Sequence, residues 1–191
     1  IRKNPGFKLI VYFCVPILII VFFFSNQPSS AVEITGIEFI GQAVIPTGTI
    51  FQNTPIGGLS GIAYDDTKQL YYAISDDRSE KAPARFYTFR IDLSQGVLLD
   101  GKVAPVGATL LVDKNNQNFA RSTIDSEGIA LTNRGTVFIS SEGDAAKFIN
   151  PFIKEFSLAS GKEVSSLPIP DKFLPSRDGK KGIRNNLAFE S

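Results

Sequence analysis

Residues 58–77 read GLSGIAYDDTKQLYYAISDD. Small residues open the stretch, and a first run of apolar and aromatic residues leads into the polar loop at 65–68. A second run, 70–75, is rich in aromatic residues and is followed by Asp76 and Asp77. Two such runs separated by a polar loop are typical of antiparallel strands. The stretch therefore predicts a β-hairpin with acidic residues at its far end.

The same pattern recurs further along the chain. Residues 125–144 read DSEGIALTNRGTVFISSEGD, and residues 188–191, AFES, resemble the opening of a third copy. Aligning Ser60, Glu127 and Glu190 gives steps of 67 and 63 residues. Further strand-like runs follow each complete hairpin, so each unit is interpreted as one four-stranded blade of a repeat architecture.

Short strand-like runs and turn residues extend through the rest of the chain. Sixteen Gly and eleven Pro separate these runs. The runs are 34–39, 42–45, 62–64, 70–75, 86–92, 109–112, 129–131, 136–140 and 153–157. Because propellers close with about four to eight blades, we predict an all-β, β-propeller-like fold that is incomplete, with about two to three four-stranded blades. This domain would occupy residues 32–191 and be truncated at its C-terminus.

The N-terminal segment has the layout of an export signal. Arg2, Lys3 and Lys8 precede an apolar run at 9–24. We expect residues 1–31 to form a hydrophobic helix that is either a cleaved signal peptide or a membrane anchor. The domain would then be periplasmic, extracellular, or anchored to the membrane outside the cytoplasm. Its contact with the membrane would run only through this segment.

Composition argues against several classes of function. The formal net charge is +1, from 20 basic and 19 acidic side chains, so no overall field attracts nucleic acid. There is no histidine, which rules out a Ser-His or Cys-His pair and a His-ligated zinc site within these residues. The one cysteine, Cys14, lies in the apolar run, so no disulfide framework forms.

Five motifs, taken together, resemble a known family. They are 58–63, 74–77, 125–130, 140–143 and 186–191. Their order and spacing are similar to those of the phytase-like domain (esterase-like activity of phytase) over roughly residues 35–191. The resemblance implies an exported, propeller-like domain that hydrolyses phosphoric or other esters of small molecules.

Acidic residues recur at equivalent ends of the repeated strands. Carboxylates that converge at one end of a propeller would bind a hard divalent cation such as Ca²⁺, which takes about six to eight oxygen ligands. Such a cation would activate water in place of the missing histidine base. The candidate metal ligands are Asp76, Asp77, Glu127, Glu142 and Asp144, and the candidate catalytic residues are Glu127, Asp125 and Glu190. The alternative is that these carboxylates accept hydrogen bonds from turn amides.

Three arginines lie close in sequence to these acids. Arg78, Arg85 and Arg121 are candidate substrate ligands, because a guanidinium group binds phosphate through paired hydrogen bonds. The sequence therefore predicts an exported, divalent-metal-dependent ester hydrolase of the phytase-like kind. The alternative is a non-catalytic propeller that binds a ligand or a protein through the loops of one face.

Overall fold

The computed structural model describes residues 33–184 and 187–189. The predicted N-terminal helix within residues 1–31 and the candidate Glu190 lie outside the described residues. The chain divides into two compact units, Ile1–Glu38 and Phe39–Ser191. In the first unit, residues 33–38 are exposed and form no helix or strand. The strands described below belong to the second unit.

The second unit is built from antiparallel strands, which confirms the prediction of an all-β fold. A short hairpin pairs β1 (Ile50–Phe51) with β2 (Thr54–Pro55). Sheet A has the order β3 (Leu59–Asp65), β4 (Leu70–Ser75), β5 (Arg85–Ile91) and β6 (Val103–Leu110). Sheet B has the order β7 (Ser126–Leu131), β8 (Thr136–Ser141), β9 (Phe152–Ser157) and β10 (Glu163–Ser166), and a 3₁₀ turn follows at Asp171–Phe173. Each sheet is a meander, because neighbours in the chain are neighbours in the sheet.

The first hairpin of sheet A and that of sheet B have the same internal geometry, which gives the sequence repeat a structural basis. Leu59 pairs with Ser75 in sheet A, and Ser126 pairs with Ser141 in sheet B. Both pairings contain a register shift directly after this position. Such a bulge turns side chains away from the regular alternation of a strand.

The same hydrogen bond also closes the end of both hairpins. The Asp76 amide donates to the Gly58 carbonyl at 2.7 Å, and the Glu142 amide donates to the Asp125 carbonyl at 3.0 Å. Asp76 and Glu142 are therefore equivalent positions, and so are Gly58 and Asp125. The two sheets present different side chains at the same places.

The main hydrophobic core lies between the two sheets. It joins Tyr72, Ile74 and Phe86 of sheet A with Ile139 and Phe156 of sheet B. Burying a large apolar side chain of this kind contributes about 1.5–3 kcal/mol. This core holds the innermost strands, β3 and β7, against each other.

A glycine permits the close approach of β3 and β7. A Cβ atom added at Gly61 would lie 2.7 Å from the Glu127 carbonyl oxygen and 3.2 Å from the Gly128 Cα. Real Cβ atoms do not approach backbone atoms this closely, so the contact requires glycine at position 61. The small residues noted in the sequence motif thus set the distance between the two inner strands.

The opposite face of sheet A is only partly covered. The β1–β2 hairpin packs there on a second core that includes Ile56, Ala73, Tyr87 and Phe89. Ile62 on the same sheet remains 61% exposed. No helix in the described part of the chain is long and apolar enough to cross a membrane.

Two predicted strands are absent from the structure. Residues 34–39 and 42–45 form no strand, and near them only Gly41 makes an isolated bridge, to Leu98. These two predictions were wrong because β-propensity produces a strand only where a partner strand offers a full ladder of hydrogen bonds.

Candidate functional site

Three of the predicted acids converge at the end of sheet B that adjoins β3. Ligand oxygens of Asp125, Glu127 and Glu142 all lie within 4.8 Å of one another, and we call these residues the acidic cluster. Asp125 precedes β7, Glu127 lies in the bulged part of β7, and Glu142 follows β8. Asp125 and Glu142 are both about 5% exposed. The cluster thus combines residues that the sequence assigned separately to metal binding and to catalysis.

Two serines hold the backbone of the acidic cluster in place. The Ser141 hydroxyl accepts a hydrogen bond from the Asp125 amide at 3.0 Å. The Ser140 hydroxyl accepts one from the Gly128 amide at 2.9 Å. Both bonds satisfy amide groups that the bulge removes from the regular ladder. Through these bonds both hydroxyls position the backbone of the acidic cluster.

Arg78 links sheet A to the acidic cluster. Its guanidinium group forms an ion pair with Asp125 and lies 3.6 Å from a carboxylate oxygen of Glu142. The hydrogen bond to Asp125 raises the pKa of Arg78, so the side chain stays charged. Its backbone has a φ of 49° and its carbonyl accepts the Ser122 amide at 2.7 Å. A left-handed backbone at a residue with a side chain is a local strain, and here it points a cation at buried acids.

Asp76 occupies the position in sheet A that Glu142 occupies in sheet B. It packs over Gly58, where a Cβ atom would collide with the Asp76 carboxylate. Burial raises the pKa of Asp76, and the nearby charge of Asp125 raises it further. Asp76 therefore lies within electrostatic range of the acidic cluster.

Asp77 and Arg85, although also predicted, form an ion pair inside the domain. Arg85 is 1% exposed, and its Nη1 lies 2.6 Å from an Asp77 carboxylate oxygen. Its other donors bond the Tyr87 hydroxyl at 2.5 Å and the Pro55 carbonyl at 2.8 Å. Asp77 also accepts the Lys81 amide at 2.9 Å. The pair joins the β1–β2 hairpin to sheet A, and both side chains are occupied by these contacts.

Three predicted residues remain, and of these Asp144 lies beside Arg78 and Asp125. Asp144 forms an ion pair with Lys147 at 3.0 Å and accepts the Lys147 amide. Burial raises the pKa of Asp144, but these hydrogen bonds outweigh it and hold the pKa below its ordinary value. Arg121 is exposed. Glu190 belongs to the residues that the structure does not describe.

Comparison with known protein families gives a match over most of the second unit. The model of a family described as "Phytase-like: Esterase-like activity of phytase" matches residues 54–191. This range contains both four-stranded sheets, the acidic cluster and Arg78, and it covers more than half of the chain.

The chain belongs to the phytase-like family. This confirms the resemblance noted in the sequence, and membership of the phytase-like family supports a hydrolase-like protein in general terms. No curated protein matches the chain, and no solved structure matches it.

The acidic cluster has dimensions that suit a divalent cation. Oxygen ligands lie about 2.3–2.6 Å from Ca²⁺, so two of them are at most about 5 Å apart. The 4.8 Å limit among Asp125, Glu127 and Glu142 agrees with this distance. Arg78 supplies one positive charge against three carboxyl groups. The donor set therefore fits a hard divalent cation, which would need further oxygen ligands from water or substrate.

The sequence did not reveal that the predicted arginines would pair with the predicted acids. From the sequence, Arg78 and Arg85 were interpreted as phosphate ligands, whereas in the structure each lies against a carboxylate. The alternation of acids and arginines between 76 and 85 was a signal that could have indicated such pairing.

Proposed function

We propose that this protein is an exported hydrolase of phosphoric or other esters and that the acidic cluster is its active site. The observation that carries the proposal is the convergence of Asp125, Glu127 and Glu142 at the end of sheet B that adjoins β3. Membership of the phytase-like family supports the reaction class. We also propose that sheets A and B are successive blades of a β-propeller, since the innermost strands β3 and β7 face each other.

Each residue of the proposed active site would have its own role. Asp125, Glu127 and Glu142 would hold a divalent cation such as Ca²⁺, which supplies charge stabilisation for a developing oxyanion and lowers the pKa of bound water. Arg78 would hold Asp125 in place and contact the anionic group of the ester. Glu127, which is less buried than the other two acids, would face the substrate and accept the proton of the attacking water.

Export and partners belong to the same proposal. The basic residues at positions 2, 3 and 8 and the apolar run at 9–24 support transfer of residues 32–191 out of the cytoplasm, with or without cleavage of the leading segment. The partner of the site would be a small-molecule ester. The charge balance of +1 gives no support to a nucleic-acid partner.

The test compares Glu127→Gln with wild type. Turnover would be followed as phosphate release from phenyl phosphate and 4-nitrophenol release from 4-nitrophenyl acetate, with calcium and with chelator. We expect calcium-dependent turnover that falls at least about a hundredfold in Glu127→Gln, because a general base contributes about 10²–10⁴-fold. Asp66→Asn, in the exposed β3–β4 turn, is the matched control and should keep full activity.

Two outcomes would count against this function. Unchanged turnover in Glu127→Gln would remove this residue from the active site. No turnover of any ester, together with stabilisation of the wild type by calcium, would favour the non-catalytic binding propeller. The ion pair of Arg78 with Asp125 is the observation that favours this second candidate, since it gives the acids a structural partner.

A further inference from the structure

A cleft opens beside the acidic cluster, between the β1–β2 hairpin and the β4–β5 connection. Its volume is about 670 Å³, within the range of about 300–1,000 Å³ that small-molecule sites occupy. One wall is formed by Pro55, Ile56 and Gly57 and carries no charge. Arg78, which reaches the acidic cluster, also lines this cleft. Arg78 is thus common to the cleft and to the proposed active site.

The charges around the cleft largely cancel before any ligand binds. Asp77 and Arg85 neutralise each other in the buried ion pair, and the Arg78 guanidinium lies against Asp125. The remaining ionisable side chains are the carboxyl groups of Asp76 and Glu80 and the ammonium group of Lys81. A polyanion would therefore meet at least as much negative as positive charge here. A ligand with one anionic group would avoid this repulsion along its uncharged remainder and would need only Arg78 as its cationic partner.

We propose that this cleft binds the non-reacting part of the substrate and selects esters whose remainder is uncharged and largely apolar. The anionic reacting group would lie at the Arg78 end, next to the acidic cluster, and the remainder would pack on Pro55, Ile56 and Gly57. The inference rests on the proposed function in placing the reacting group there. The proposed specificity differs from that for a polyphosphate substrate, because the cleft has too few cationic side chains to bind several phosphate groups.

Gly57 offers a direct way to test the apolar wall. A Cβ atom added at Gly57 would meet nothing within 4 Å, and the backbone there is not left-handed. Gly57→Leu should therefore fold normally while narrowing the cleft. The matched control is Ala104→Leu, which adds an apolar side chain at an exposed position on the edge strand β6.

The experiment is isothermal titration calorimetry of the full chain, with calcium present, using three non-hydrolysable phosphonates. Benzylphosphonate should bind at least about tenfold more tightly to wild type than to Gly57→Leu. The reason is that the leucine side chain would occupy the apolar space that the ring needs. Methylphosphonate lacks the ring and should change less than about twofold between the same two proteins. Benzylphosphonate carrying two ring carboxylates should bind wild type at least about tenfold more weakly than the uncharged parent. Ala104→Leu should match wild type with all three ligands.

The outcomes test the cleft proposal and the hydrolase proposal independently of each other. The cleft proposal fails if no phosphonate binds, if Gly57→Leu weakens methylphosphonate as much as benzylphosphonate, or if the added carboxylates improve affinity. The hydrolase proposal is judged separately, by turnover of benzyl phosphate on the same protein. Binding with the expected dependence on Gly57 but without turnover would leave the cleft assignment standing and overturn only the catalytic one.

Discussion

The buried ion pair of Asp77 and Arg85 makes the strongest prediction about stability. The Arg85 guanidinium is 1% exposed and lies 2.6 Å from the Asp77 carboxylate. Asp77→Ala would leave this cation inside the domain without its counter-charge. Breaking a buried pair in this way costs about 3–5 kcal/mol of the free energy of unfolding. In a domain of this size the loss corresponds to a fall in Tm of roughly 6–20 °C.

The assay is urea denaturation of wild type, Asp77→Ala, Arg85→Met and the double variant. In the double variant the uncompensated charge is gone, so the two losses should be far from additive. Asp65→Ala is the control, because it breaks an ion pair with Lys68, whose side chain is 52% exposed, and should cost much less. If Asp77→Ala cost no more than the control, or if the two losses simply added, the ion pair would not be desolvated and the reasoning would be refuted.

The same ion pair predicts a dependence on pH. Burial raises the pKa of Asp77, but hydrogen bonds from Arg85 and from the Lys81 and Ala82 amides outweigh it, so the pKa lies below its ordinary value. A carboxyl group whose pKa is lower in the folded state stabilises the fold above its unfolded pKa of about 3.9. This contribution is lost as the pH falls through the folded pKa. Asp77→Ala should therefore flatten the acid side of the stability profile.

Three further predictions concern the two sheets and their junction. Gly61→Val should lower the free energy of unfolding by about 1–3 kcal/mol. Its Cβ atom would lie 2.7 Å from the Glu127 carbonyl oxygen and force β3 and β7 apart. Equal urea midpoints of wild type and variant would contradict this close approach. Arg78→Gln should cost about 1–2 kcal/mol in the same assay because the Asp125 carboxylate loses its ion pair, and Arg78→Lys should recover part of the loss. Hydrogen bonds from Thr136, Ser165 and Arg134 lower the pKa of Glu155. Glu155→Gln should therefore reduce the loss of stability that occurs on acidification below about pH 4. An unchanged dependence of stability on acidic pH would show that Glu155 does not contribute.

The local part of the fold could be predicted from the sequence, because hairpins depend on residues close together in the chain. The runs at 70–75 and 136–140 coincide with β4 and β8 within one residue. The short strands β1 and β2, most of β6 and all of β10 were missed. Pro105 and the polar residues of 163–166 carry weak strand signals, and these edge strands form because a neighbouring strand offers its hydrogen-bonding groups.

The sequence alone determined the all-β class, the repeated hairpin and the recurrence of acids at equivalent strand ends, since these follow from local residue pattern and spacing. Only the tertiary structure decided which charges meet. It placed Arg78 against Asp125, 47 positions further along the chain, and enclosed the Asp77–Arg85 ion pair against the Pro55 carbonyl of the β1–β2 hairpin. The physical reason is that the energy of a charge depends on burial and on partners within a few ångströms, and both are set by sheet packing between residues far apart in the chain.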